Sequence, residues 1–165
     1  MAVSRVELVL DNFRVIGDIK QAGVPRRLVD LMNNSDIEFF VVKRGEIDDP
    51  FTELDIPRKL ANVEILREAI LFAVPRGGDA PEHGDAFETV KKVPVATTII
   101  LPGYELRGNV HFIPDVKPED VPMMQNRHFI PVTDARISAS GARKATWEEP
   151  VVVVNLMQAE VFAID

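Results

Sequence analysis

A repeat constrains this chain more than any other feature of its sequence. Near the N-terminus Val6, Leu8 and Leu10 alternate with other residues, Asp11-Asn12 interrupts, and Phe13, Val15, Gly17 and Ile19 resume the alternation. At an offset of 91 residues (Val6 to Thr97) the pattern returns. Thr97, Ile99 and Leu101 alternate, Pro102-Gly103 interrupts, and Tyr104, Leu106, Gly108 and Val110 resume. Period-two alternation predicts β-strands with one buried face. Asp-Asn and Pro-Gly are turn dipeptides. Each copy is therefore expected to open with a two-strand hairpin. The glycine repeated in each second strand predicts a bulge or a close backbone approach.

Further segments recur at nearby offsets. Val29, Leu31, Met32 and Asn34 correspond to Val121, Met123, Met124 and Asn126. Pro25 followed by Leu28, Val29, Leu31 and Met32 predicts a short helix, whereas Pro118 and Pro122 limit the second copy to one turn. Phe39-Phe40-Val41-Val42 corresponds to Phe129-Ile130-Pro131-Val132. A kink is expected after each, at Lys43-Arg44-Gly45 and Thr133-Asp134-Ala135. Pro131 lacks a ladder donor and predicts an edge or a bulge. Ile70 to Val74 is set against Val151 to Asn155 as the last shared strand. Glu160 to Ile164 closes the second copy, with Phe87 to Val90 as its expected counterpart. Residues 48–59 and 75–86 contain Pro and Gly-Gly punctuation and are expected to be long loops.

The expected fold is thus mainly β. Two tandem copies of a small antiparallel sheet or barrel unit, of about five strands each, carry one short helix after the second strand. They are expected to pack with pseudo-twofold symmetry, the first repeat spanning residues 1–88 and the second 89–165.

Composition narrows the function. The chain has no cysteine, which excludes disulfides, thiolate metal sites and cysteine nucleophiles. Its net charge of −7 opposes nucleic-acid binding, which depends on phosphate neutralisation. The start MAVSRVELVL has neither the basic nor the apolar region of a signal peptide, and no apolar run approaches the roughly 20 residues of a membrane helix. A cytoplasmic protein without membrane association is expected.

Tyr104 to Val110, Asn126 to Ile137 and the valine run ending in Asn155 carry a resemblance. The second copy resembles a family of small uncharacterised bacterial β-rich domains. Their pattern is a hairpin with a glycine, an Asn before a Phe-rich strand, a Thr-Asp-Ala turn and an apolar strand ending in Asn. The first copy departs from it, with Lys43-Arg44-Gly45 at the turn and Val74-Pro75 where the terminal Asn would stand. The resemblance implies fold alone, because the family has no reaction to lend.

No catalytic set repeats, and no cofactor is expected. His83, His111 and His128 have no i, i+2 or i, i+4 spacing, and Lys20 and Glu38 stand at the first-copy positions of His111 and His128. Ser138-Ala139-Ser140-Gly141 lacks the flanking glycine of a nucleophile elbow. Polar residues do recur: Asp18 with Asn109, and Asn34 with Asn126. These four are the candidate ligand-binding residues, lining a cleft between the repeats. The leading expectation is a non-enzymatic binding or protein-interaction module for an unknown protein partner or small ligand, compatible with homo-oligomerisation. The alternatives are a small metal-dependent hydrolase using His111 or His128, and a nucleic-acid-binding small β-barrel. The last would need Phe39, Phe40, Tyr104, Phe112 and Phe129 on a binding face.

Overall fold

The alternating segments form strands in the computed structural model, which describes residues 1–48, 58–78, 91–115, 117, 120, 128–140 and 145–165. The strands are β1 (Ala2–Val9), β2 (Arg14–Gln21), β3 (Phe39–Asp48), β4 (Arg58–Leu66), β5 (Phe72–Gly78), β6 (Val93–Leu101), β7 (Tyr104–Phe112), β8 (Phe129–Ala139), β9 (Thr146–Asn155) and β10 (Val161–Ile164). One helix, α1, covers Leu28–Met32, and 3₁₀ turns cover Arg67–Ala69 and Leu156–Gln158. The described strands form one antiparallel sheet in the order β10-β6-β7-β8-β9-β5-β1-β2-β3-β4. The protein is mainly β, as the alternation requires.

Both opening hairpins are present. Leu8 faces Val15 across β1–β2, and Leu101 faces Tyr104 across β6–β7. Both kinks are present too, but β3 and β8 run through them. Arg44 and Asp134 adopt φ of 50° and 49°, a left-handed conformation unusual for residues with side chains. The adjacent ladders slip register there, between Ile16 and Asp18 and between Arg107 and Asn109. The repeated glycines explain the slip. A Cβ on Gly17 would lie 2.8 Å from the Lys43 carbonyl oxygen, and one on Gly108 2.8 Å from that of Thr133. Only a bare backbone fits against the bulge.

Pro131 lies in β8, an interior strand. The β7 ladder ends at Asn109–Thr133, so at Pro131 β8 pairs only with β9. The strand is locally an edge, which is where proline is tolerated. The described parts of residues 48–59 and 75–86, expected to be loops, are strand. Asp48 belongs to β3, Arg58 and Lys59 to β4, and residues 75–78 to β5. Residues 49–57 and 79–90, including the expected strand Phe87 to Val90, lie outside the described residues, as does most of the expected second-copy helix region.

The segments Ile70–Val74 and Val151–Asn155, matched as counterparts in the sequence, lie side by side in the sheet. Phe72 faces Val154 and Ala73 faces Val153 across β5–β9. This ladder joins the two halves of the chain. Phe72, Val74, Val152 and Val154 point into a core with Leu101, Tyr104, Leu106, Ile130 and Ile137. Ala73 and Val153 point into a second core with Val6, Leu8, Val15, Phe40, Val42 and α1. A strand shared by two cores must be apolar on both faces, which accounts for the unbroken valine run. Burying each such side chain stabilises by about 1.5–3 kcal/mol.

Helix α1 has no side-chain N-cap and buries Leu28, Val29, Leu31 and Met32. Five residues cannot sustain a helix alone, so packing holds it. It also reaches across the junction. The Asn33 amide donates to the Phe129 carbonyl at 2.8 Å and accepts from the Phe129 N–H at 2.9 Å, supplying β8 with a substitute partner at its first residue.

Candidate functional site

Two features combine exposed surface with specific chemistry. One is a cleft between the halves, and the other is the pair of free sheet edges.

The cleft has a volume of about 400 Å³ and is lined by Glu7, Val9, Arg14, Arg76, Tyr104 and Trp147, among others. Arg76 dominates it. Its guanidinium donates to Glu7 Oε2 from Nε at 2.8 Å and from Nη2 at 2.6 Å. The same group donates to Glu149 Oε2 at 2.9 Å and Oε1 at 2.5 Å. Glu7 and Glu149 are buried. Burial opposes the charge on Arg76, but the hydrogen bonds to Glu149 and Glu7 outweigh it and raise its pKa further. Arg14 approaches Glu7 at 3.6 Å and pairs with Asp48. Below the charges Tyr104 packs edge-on against Phe72, with ring centroids 5.1 Å apart, and against Trp147 at 6.5 Å. The charged groups of the cleft are spent on one another. Arg76 on β5 clamps Glu7 on β1 to Glu149 on β9, so the cleft functions as a lock between the halves.

Of the four residues singled out in the sequence, the three that are described lie apart. Asp18 on β2 is buried and paired with Arg5 at 3.1 Å and with Arg44, whose Nε donates at 2.8 Å. Burial raises its pKa, yet the hydrogen bonds from Arg44 and Arg5 win and leave it below the ordinary value of 3.8. Asn109 is half-buried on β7, and its carbonyl accepts from Thr133 Oγ1 at 3.5 Å. Asn34 follows α1, where its side chain accepts from the Asp36 N–H at 3.1 Å. Four strands separate β2 from β7 in the sheet, and no hydrogen bond among the described residues joins Asp18, Asn34 and Asn109. Asn126 lies outside the described residues.

The two described histidines, His111 and His128, make different contacts. His111 Nε2 is 2.6 Å from Thr133 Oγ1, and the exposed His128 offers its carbonyl to the Leu156 N–H at 2.7 Å. His83 lies outside the described residues. Among the described residues no three His, Asp or Glu side chains group to hold a metal ion, and no helix is long and apolar enough to cross a membrane.

Among the described residues the free edges are β4 and β10, each paired on one side only. The Arg67 N–H donates to the Glu38 carbonyl at 2.9 Å, toward β3. Alternation then turns the N–H groups of Asn62, Glu64 and Leu66 away from β3, toward no described strand. Leu66 is 37% exposed and the neighbouring Phe39 49%, while on β10 Val161 is 44% and Ile164 37% exposed. Unpaired backbone flanked by exposed apolar side chains is a template for strand addition. Nothing in the sequence signals these edges, because periodicity reports which face is buried and not which strand lies alongside. No protein-family model, curated protein or solved structure matches the chain.

Proposed function

We propose that the chain is a tandem duplication of a five-strand unit and serves as a non-enzymatic protein-interaction module that binds by strand addition at its free edges. The observation carrying this reading is that four ladders keep their registers between the halves. Val6–Gly17 becomes Thr97–Gly108, and Val15–Ile47 becomes Leu106–Ile137. Phe39–Leu66 becomes Phe129–Asn155, and Val9–Phe72 becomes Ile100–Val161. Arg44 and Asp134, and Gly17 and Gly108, occupy matching places in these registers. The chain order 5-1-2-3-4 is then used twice across the sheet.

Under this reading β5 corresponds to β10, and β9 to β4. The halves are joined head to tail, with unlike strands meeting. A twofold axis at the junction, as the sequence suggested, would bring like strands together. The repeats keep the boundaries 1–88 and 89–165, and the likeness of the second to small uncharacterised bacterial β-rich domains extends to the first. The β5–β9 ladder is itself a strand addition made within one chain, which supports edges β4 and β10 as the binding surfaces.

Amide exchange tests the reading, with a peptide of residues 159–165 as an added strand. The outward amides Asn62, Glu64 and Leu66 are expected to be protected, either in the chain alone or once the peptide is present. Fast exchange at all three under both conditions would contradict it.

A further inference from the structure

We infer that the strand added to β4 is β10 of a second copy, so that chains join head to tail through a junction that repeats the one inside each chain. The inference rests on the duplication proposed above and names its partner. If β5 corresponds to β10 and β9 to β4, the pairs Ala73–Val153 and Phe72–Val154 specify their counterparts between chains. These are Phe162 opposite Glu64 and Val161 opposite Ile65.

The donors and acceptors agree. At the internal junction the Asn155 N–H donates to the Leu71 carbonyl at 2.9 Å, which corresponds to Leu66 donating to Glu160. The outward N–H of Leu66 is already set for it by the Arg67–Glu38 bond. On β10 the Asp165 N–H donates inward to the Ala96 carbonyl at 3.0 Å, so alternation turns the Phe162 N–H outward, toward the place of Glu64.

The side chains agree as well. Phe129 is 1% exposed because the first half's core covers it, whereas its counterpart Phe39 is 49% exposed. Phe72 is fully buried, and its counterpart Val161 is 44% exposed. Two positions buried at the internal junction, those of Phe129 and Phe72, therefore recur uncovered at the two ends of the sheet as Phe39 and Val161, while Glu64 takes the place of the buried Val153. A second copy brings the matching surface to each end.

The polar lock is not copied. Arg76, Glu7 and Glu149 have Asp165, Thr98 and Leu60 as counterparts, and the Asn155 amide that donates to the Ile70 carbonyl at 2.9 Å has Leu66. The junction between chains is thus the weaker of the two and depends on concentration. Repeated identical head-to-tail contacts close into a ring or continue as a filament.

Light scattering on the full chain with two edge variants provides the test. The wild type is expected to show masses above that of the 18.4 kDa monomer, growing with concentration up to any closed size. Glu64→Pro removes one outward N–H and no bond to β3, and Val161→Lys places a charge on an exposed edge position. Each variant alone is expected to be monomeric. Mixed in equal amounts they retain one good β4 and one good β10 between them and are expected to form a dimer, which also shows that both are folded. A wild type that stays monomeric at all concentrations would overturn the inference. So would an oligomer that survives both substitutions. If the wild type is monomeric but the peptide still protects β4, the inference fails and the edge reading stands.

Discussion

Arg76 illustrates what a single residue does in this molecule. It is the one cation touching both buried carboxylates, Glu7 and Glu149, among the described residues. Arg76→Met leaves both without that partner and is expected to cost about 2–4 kcal/mol in chemical denaturation, the lower part of the range reflecting its partial exposure. Asp18 makes a different prediction because its pKa is lowered by folding. Its contribution is fully present above the ordinary value of 3.8 and is lost as pH falls through the lower folded value. The stability difference between wild type and Asp18→Asn should therefore shrink as denaturation is measured below about pH 3.8. A difference that is constant across that window would show that Asp18 does not carry it. Gly17 and Gly108 face the same obstruction, a carbonyl oxygen at 2.8 Å from an added Cβ. Gly17→Ala and Gly108→Ala should each cost about 1–3 kcal/mol and resemble one another. The glycines were legible in the sequence because their reason is local. Arg76 was not, because its partners lie 69 and 73 residues away.

At the scale of elements, hairpins, kinks and α1 followed from alternation, turn dipeptides and Pro25. The strands expected at Ile70–Val74, Val151–Asn155 and Glu160–Ile164 are present as well, as β5, β9 and β10. Ile70–Val74 and Val151–Asn155 look alike in sequence because both are buried on two faces at one junction. The two 3₁₀ turns, Arg67–Ala69 and Leu156–Gln158, each precede a strand, β5 and β10 respectively. The candidate site was less legible. Asn34 makes a local bond to the Asp36 N–H, as polar residues at helix ends commonly do, whereas Asp18 pairs with Arg5 and Arg44 on the two flanking strands. The long-range polar contact near α1 belongs to Asn33, one residue earlier. Asn33→Ala removes both bonds to Phe129 and should cost about 1–3 kcal/mol, with faster amide exchange at Phe129 as the specific sign.

The described strands form one sheet whose halves meet at β5–β9, and under the proposed duplication β4 and β10 are the open counterparts of that junction. That arrangement accounts for the exposed Leu66, Val161 and Phe39 better than a small-ligand cleft does, since the charges of the cleft neutralise one another. The edges, rather than any pocket, would be what the fold preserves. The most direct measurement is amide exchange at Glu64 compared with its counterpart Val153 as the protein concentration rises. Glu64 is expected to slow with concentration toward the protected behaviour of Val153. Exchange at Glu64 that stays fast at every concentration, beside a slow Val153, would contradict head-to-tail joining of the sheet.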